Sequence, residues 1–594
     1  MGSDGFSLLG ERMCKEKKLR RISLISSLII PGLGHIIRGR IAMGVAALIL
    51  DASFLAFITI MNRLRPDLGW LLWPLWSVTF AIYYFLTAYD AYRGPRLEEA
   101  PCRRDCPAGL NVPDYISLVA AGRYDEADAL IRLKAPLAGI LGRICPAPCE
   151  EVCTRTRIEE PIAIRALKRS AATNSSEKKI LPSAVLYSKH KVAVVGAGPS
   201  GLTCAHFLAQ RGYSVDLFDK ESKPGGILRD IIPCFRLPQE VVQSDIDFIM
   251  NSNPGIKLFP NQALGEELSL RKLEASYDAI YLALGASRPR PLMIEGEGLE
   301  GVISGLSFLR EVCIGKTKSL SGHVAVLGGG NTAVDSARAA LRMGAKKVTI
   351  FYRRMRINMP AYKEEIEEAE KEGVGLHFLA SPIKFEGKKR VENIVFSRMT
   401  LSDLKSGRRS ELIPVHGEQW IEDVNTVIVA VGQEPDIKLL GTLGLLTDID
   451  GKIKVNRKLA TSRRKVFAGG DCVLGPSAVV EAVRDGRRAA ESIDYFLRPR
   501  LFSANIARMF EFEPGFGLDR LEGSAWSVRN PGFESRRKEA SDFEKLSMAK
   551  EVMCGFAKGD DEDEAKRCLA CHKHNLGFLY KTGKQKGYVA QDER

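Results

Sequence analysis

The sequence predicts an α/β chain built on two Rossmann-like dinucleotide-binding units. An α-helical, cysteine-bearing segment and an N-terminal two-helix transmembrane hairpin are expected to precede them. Three observations predict this. Residues 192–202 read VAVVGAGPSGL and residues 323–333 read HVAVLGGGNTA, each an apolar run, then closely spaced glycines, then a helical stretch. Five cysteines crowd into 102–153 at C-x3-C spacings. Two long apolar stretches, 41–61 and 68–88, stand near the N-terminus.

The apolar stretches come first, in a region running to residue 96. Arg12, Lys15, Lys17, Lys18, Arg20 and Arg21 precede them. The run 22–37 is broken by Pro31, Gly32 and Gly34 and is too interrupted to span alone. Each of 41–61 and 68–88 is long enough, at about 1.5 Å per residue, to cross a hydrocarbon layer of about 30 Å. Trp70, Trp73, Trp76, Tyr83, Tyr84 and Tyr89 suit an interfacial belt. The basic side is N-terminal, so the expectation is a multi-pass protein of the cytoplasmic membrane, with both termini and the catalytic domains cytoplasmic and membrane lipid as a partner. A hairpin buried in a protein core is the alternative, and no small-residue cleavage site marks a signal peptide. Asp51 falls mid-span, either as a quinone or proton site or as a protonated acid bonded to the neighbouring helix.

Residues 97–180 change character. Cys102, Cys106, Cys145, Cys149 and Cys153 flank helical text. Thiolates at such spacings wrap iron–sulfur cubes, each needing four ligands, with zinc as the competing reading. Five cysteines do not complete two such sets.

The first glycine unit follows. Among Gly196, Gly198 and Gly201, with Pro199 and Ser200 between, one glycine makes the tight turn, one lets backbone N–H groups approach a pyrophosphate, and one packs helix on strand. The next strand ends in Asp219, where a ribose-binding carboxylate is expected. In the second unit Gly328 and Gly330 recur, with Asn331 and Thr332 following and Ala333 in the third place. Its next strand ends in Arg353 and Arg354, which suit the 2′-phosphate of NADP unless they are ordinary surface arginines. Two such sites suggest a flavin and a nicotinamide held face to face for hydride transfer. YLALGAS (281–287, with Gly285) and VIVAVGQEP (427–435, with Gly432) read as buried strands ending in glycine turns. Another strand ends at Gly469, Gly470 and Asp471.

Length and composition fit this plan. At 594 residues the chain is too long for one core. A net charge of +14 raises nucleic acid as a partner, but no helix-turn-helix, RNP or zinc-finger pattern accompanies it, and none is expected to bind. Thirteen cysteines without a cleavable leader argue for metal ligands rather than a disulfide scaffold. Cys204, Cys234, Cys313 and Cys472 are isolated and read as small hydrophobes, so no redox dithiol sits between the nucleotide units. No general base stands out, and no catalytic side chain is assigned. The polar text from 501 to 563, ending in the charge run 560–564, reads as a solvated arm.

CPAGLNVPDYISLVAAGRYDEA, GRICPAPCEEVC, the first glycine fingerprint, PGGIL…IP…FRLP (224–238), YRR…MPA (352–361) and VFAGGDC…GPSAVVEAVRDGR (466–487) follow one another in order. Over about 102–498 this resembles the small subunit of glutamate synthase, the NADPH–ferredoxin transhydrogenase large subunit and the N-terminal half of dihydropyrimidine dehydrogenase. The resemblance implies an FAD domain at 190–290 and 426–498, including Gly226 and Arg236, and an NAD(P)H domain at 291–425. It implies that Asp471 bonds the ribityl or phosphate side of FAD, while the helix opening at Ser477 to Val480 faces the flavin N1–C2 edge. It implies NADPH (or NADH) reducing FAD, with electrons leaving singly through one or two [4Fe–4S] clusters to a partner protein or quinone.

The chain departs from the family pattern in one respect. The family's C-x2-C upstream of Cys102 is replaced by Gly94 and Leu97, yet the tail (499–594) reads EAKRCLACHK. Cys568 and Cys571 are therefore expected to join Cys102 and Cys153 around one cluster. Cys106, Cys145 and Cys149 would serve a second, whose fourth position holds Lys168, a poor ligand. The rival reading is a separate metal site of Cys554, Cys568 and Cys571 with His572 or His574. The favoured function is a membrane-anchored oxidoreductase. Its alternatives are a glutamate synthase small subunit serving an amidotransferase, and a non-catalytic assembly subunit.

Overall fold

The computed structural model describes residues 100–176, 189–316, 319–401, 412–498, most of 536–569, Cys571 and four positions between 56 and 63. The chain divides into two compact units, one of 1–99, 519–527 and 570–594, the other of 100–518 and 528–569. The second holds both sheets, the helical segment and most of the described tail.

Apart from Ala56, Thr59 and Ile60, the expected spans 41–61 and 68–88 lie outside the described residues, as does Asp51. The expected location in the cytoplasmic membrane is corrected: among the described residues no helix is long and apolar enough to cross a membrane. The longest described helix, Val479–Leu497, carries Arg484, Asp485, Arg487, Arg488, Glu491 and Asp494, side chains that are costly in hydrocarbon. The transmembrane hairpin, the lipid partner and the quinone lose their footing with it.

Lys191–Val195 is apolar on both faces after its first residue, as a central parallel strand must be. It pairs in parallel with Ser214–Phe218 on one side and Ala279–Leu282 on the other. Ile256–Phe259 and Val466–Ala468 complete a five-stranded sheet at its two edges. The second sheet repeats the plan: His323–Leu327 lies centrally, between Lys347–Tyr352 and Thr426–Val429, with Gly375–Phe378 and Val302–Ser304 outside. Thr426–Val429 thus belongs with the second sheet, so the domain boundary expected at 426 falls after this strand. An antiparallel meander, Ala380–Glu386, Asn393–Leu401 and Leu412–Asp423, covers one face of that sheet through Phe385, Phe396 and Val424. Helices Gly305–Cys313, Asn331–Arg342 and Lys363–Lys371 fill the other. The chain passes between the two domains through a short ribbon, in which Arg288–Pro289 pairs with Gln433–Glu434.

The cysteine-bearing segment is a cluster of short helices. Its longer members are Val112–Ala120, Tyr124–Arg132, Ala138–Ile144 and Ile164–Asn174, closed around Leu118, Ile131, Leu137, Ile140 and Leu167. It is fastened to the first Rossmann domain by Arg132, which bonds Asp128 at 2.6 Å and Asp245 at 2.9 Å, all buried. The other Asp245 oxygen accepts from the Ile140 N–H at 2.9 Å.

Candidate functional site

The first glycine turn opens a cleft at the carboxyl ends of the parallel strands, where the strand order reverses and ligands of such sheets bind. Gly196, Gly198, Pro199 and Ser200 line it from the turn, and Asp219 from the end of the next strand. Gly226, Gly285, Gly470, Asp471 and Ser477 line it from the loops above. Gly201 lies beneath the turn: a Cβ there would stand 1.8 Å from the Gly196 carbonyl oxygen, so no other residue lets the helix Pro199–Gln210 start so close to its strand.

Asp219 has both oxygens engaged. One accepts from the Ala197 N–H and the other from the Glu221 N–H at 2.8 Å, so the acid braces the glycine turn. Burial raises its pKa above the usual carboxylate value despite these donors. Asp471 accepts from the Ser477 hydroxyl at 2.7 Å, and burial pushes its pKa up to about 6. The helix Val479–Leu497 begins beside them, with Val479 and Ala482 facing the cleft. The Val480 side chain is buried, at 1% exposure, since the cleft-facing stripe of the helix runs i, i+3 from Val479; the role expected at this helix opening is one of backbone N–H groups.

Two other expected residues lie outside the lining. At Gly432 the following residue, Gln433, lines the cleft. Arg236 is consumed by ion pairs: its guanidinium bonds Asp335 at 2.6 Å and Glu365 at 2.5 Å and its side chain is 9% exposed. This correction has a plain cause, since Asp335 and Glu365 sit on second-domain helices about 100 residues and more further along the chain. Sequence reasoning also missed Arg310, which lines the cleft from the second domain and pairs with Glu221 at 3.4 Å. No local pattern marks an arginine whose partner lies in another domain.

Around the second turn, Gly328 and Gly330 lead into the helix Asn331–Arg342, with Thr332 in its first turn and Ala333 buried beneath it. Residues 352–362 fold back over the turn. The Ala361 N–H donates to the Gly329 carbonyl at 3.1 Å, and the Tyr362 N–H to the Asn331 side-chain oxygen at 3.0 Å. Arg353 and Arg354 follow the strand end and are exposed, and neither side chain has an ion pair among the described residues.

In the helical segment, Cys145 and Cys149 are buried, and Cys102, Cys106 and Cys153 are half-buried. Lys168 is fully buried; desolvation opposes its charge, yet Cys145, Cys149 and Cys106 nearby raise its pKa above the ordinary lysine value. Its ammonium donates to the Leu141 carbonyl at 3.5 Å. Desolvation also raises the Cys149 thiol well above its usual value, so ligation there must displace a proton. Cys102, Cys106 and Cys149 together raise the pKa of the buried Tyr115 hydroxyl, burial being the larger cause. Among the described residues no group of three His, Cys, Asp or Glu side chains is gathered tightly enough for a single metal ion. A cube needs four thiolates, and three of them, Cys106, Cys145 and Cys149, lie near one another around Lys168.

The cleft and the cysteines are joined. Arg487, two turns along the helix that lines the cleft, donates to the Ala108 carbonyl at 2.7 Å, two residues from Cys106.

Comparison with known proteins agrees with this geometry. Residues 190–486 match the family described as pyridine nucleotide-disulphide oxidoreductase. Residues 84–180 match the dihydropyrimidine dehydrogenase domain II, 4Fe-4S cluster family. The chain is 37% identical over 529 residues to the NADP(+)-dependent formate dehydrogenase subunit beta of Moorella thermoacetica, covering 82% of this chain and 73% of that protein. It is 34% identical over 514 residues to the NADPH-Fe(3+) oxidoreductase subunit beta of Geobacter sulfurreducens (strain DL-1 / KN400), covering 80% and 75%. It is 33% identical over 420 residues to the glutamate synthase [NADPH] small chain of Escherichia coli (strain K12), covering 66% and 87%.

Proposed function

The chain belongs to the pyridine nucleotide-disulphide oxidoreductase family and is an FAD-dependent NADP(H) oxidoreductase with 4Fe–4S chemistry, and on that premise we propose how its own residues carry electrons from NADPH to a partner subunit. When bound, FAD takes electrons from NADPH as a hydride, and iron–sulfur clusters pass them on singly. The turn Gly196–Gly201 and Gly226 hold the FAD pyrophosphate. Asp219 keeps that turn in shape, and Gly285, Gly470, Asp471 and Ser477 hold the remainder of the cofactor. Gly328, Gly330, Asn331 and Thr332 would hold NADPH, with Ala333 packed beneath them, and Arg353 and Arg354 would take its 2′-phosphate. The hydride step itself needs no side chain to move a proton, since it depends on the placement of nicotinamide and flavin; the proton left behind when the flavin gives up its electrons singly would go to solvent.

The observation that carries this reading is Arg487. It brings the helix along the cleft into hydrogen-bond contact with Ala108, two residues from Cys106, which supports an electron path from the cleft toward the cysteines. Anaerobic titration with NADPH tests it. Bleaching of the flavin, followed by appearance of reduced-cluster EPR signals, is the expected outcome. A flavin that NADPH leaves oxidised would leave only a non-catalytic assembly role.

For the acceptor, we favour a separate oxidoreductase subunit. Two relatives that cover 80% or more of this chain are named as beta subunits, of a formate dehydrogenase and of an Fe(3+) oxidoreductase. A second reading, delivery to an amidotransferase, has the glutamate synthase small chain in its favour, since the match spans 87% of that protein. Glutamate formation from glutamine and 2-oxoglutarate with an added amidotransferase subunit would decide for it.

A further inference from the structure

The C-terminal tail returns to the cysteine-bearing segment. The helix Asp560–Lys566 packs on Val112–Ala120, and Tyr124 donates to Asp561 at 3.0 Å. Beyond the helix the contact becomes a buried ion network. Arg155 donates to the Arg567 carbonyl at 2.8 Å, across 412 residues of sequence. Arg567 pairs with Glu159 at 2.9 Å and Glu564 at 2.6 Å and donates to the Glu160 carbonyl at 2.9 Å. Glu564 in turn accepts from the Ala163 N–H at 2.9 Å. Arg155, Glu564 and Arg567 are all nearly inaccessible, at 3%, 0% and 2% exposure.

Buried charges in such number are a costly way to fasten a surface arm. What the network fixes is the backbone that enters Cys568, and it fixes it on the residue two positions after Cys153. Around Lys168 the helical segment gathers Cys106, Cys145 and Cys149. Cys102 and Cys153 remain. Cys102 sits on Pro101–Arg104, which packs against Pro148–Glu151, and Cys153 follows that second helix by two residues. Two thiolates do not hold a cube.

We propose that Cys568 joins Cys102 and Cys153 as a ligand of a second [4Fe–4S] cluster. The inference rests on the iron–sulfur reading above but not on any electron route. Each thiol loses its proton on ligation, and no change of oxidation state is required. The tail thereby becomes a closure of the cluster domain.

The test uses the full chain, purified anaerobically. Cys568→Ser is expected to lose about four irons per chain and one of two EPR signals after dithionite reduction. Bound flavin and the signal abolished by Cys106→Ser should be retained. Cys102→Ser should remove the same signal as Cys568→Ser. Unchanged iron and EPR in Cys568→Ser overturn the proposal. A variant that fails to fold is bypassed by alkylating the unmodified protein. Mass spectrometry should find Cys568 protected before iron chelation and modified after it, and equal labelling in both states overturns the proposal. Because dithionite replaces NADPH, these results stand apart from failure of NADPH to reduce the flavin.

Discussion

Asp471 lies in the cleft with an acidity that burial has altered. Its pKa in the folded protein is about 6, above the unfolded value of 3.8. A carboxyl raised on folding binds its proton more tightly in the native state, so its effect on stability is least unfavourable at low pH and worsens as pH rises from about 4 through 6. In flavin-free protein, Asp471→Asn is therefore expected to gain on the parent as pH rises, by about 2 kcal/mol between pH 4 and 7.5. Urea unfolding at the two pH values reads this, and a pH-independent difference rules it out. The same variant should bind FAD more weakly. Arg353 and Arg354 make the second case at this scale, because both are exposed and without an ion pair among the described residues. Replacing both by alanine is expected to lower the NADPH-to-NADH ratio of kcat/KM for flavin reduction by about tenfold or more, two charge-assisted contacts being lost. An unaltered ratio removes them from the nucleotide site. The placing of Asp219 beside its glycine turn was legible because both lie within one βαβ unit. Arg236 was not, because its carboxylate partners come from the other domain.

The helix Val479–Leu497 is the element that joins two functions. Its first turn faces the flavin cleft, and Gly486 lets it lie directly on Pro199–Gln210, since a Cβ there would stand 2.2 Å from the Ser200 carbonyl oxygen. One residue further, Arg487 reaches Ala108. Arg487→Leu is expected to leave NADPH bleaching of the flavin nearly unchanged while slowing reduction of the clusters by about tenfold or more, the usual size of a lost supporting contact at a metal site. Stopped-flow traces followed at flavin and cluster wavelengths separate the two steps, and equal slowing of both would make Arg487 a purely structural residue. The sequence revealed this helix through its motif but not its partner. The tail helix was harder still. Its run of Asp560 to Glu564 reads as solvated, yet Asp561 and Glu564 are 4% and 0% exposed. A charge run is read correctly only once its partners are known, and here the fold brings the Tyr124 hydroxyl to Asp561 and the Ala163 N–H to Glu564.

At the scale of the whole second unit, the tail is also a strap. The Val552 N–H donates to the Phe235 carbonyl at 3.0 Å, and the Val552 side chain enters the core of the second Rossmann domain. Arg342 of that domain donates to the Ser547 carbonyl at 3.3 Å. Next to Val552, Glu551 pairs with Arg143 at 2.9 Å and Arg169 at 3.1 Å in the helical segment. One short stretch thus ties the cysteine-bearing helices to the nicotinamide domain, so loosening it should weaken both. In Arg143→Ala/Arg169→Ala, Glu551 keeps its burial and loses both cations, which costs about 3 kcal/mol or more at neutral pH. Burial already raises its pKa above the usual glutamate value, and the two arginines restrain that rise. With them gone the pKa climbs further. Sign follows from linkage: a carboxyl whose folded pKa is raised loses stability as pH increases from the unfolded value through the folded one. The melting temperature of the double variant should therefore fall furthest below the parent at pH 8 and approach it toward pH 5. Glu551→Gln added to the double variant should restore much of the deficit at pH 8, because a neutral amide carries no charge to strand. A deficit that is the same at both pH values, or one that Glu551→Gln does not repair, would mean that packing rather than this ion pair holds the strap in place.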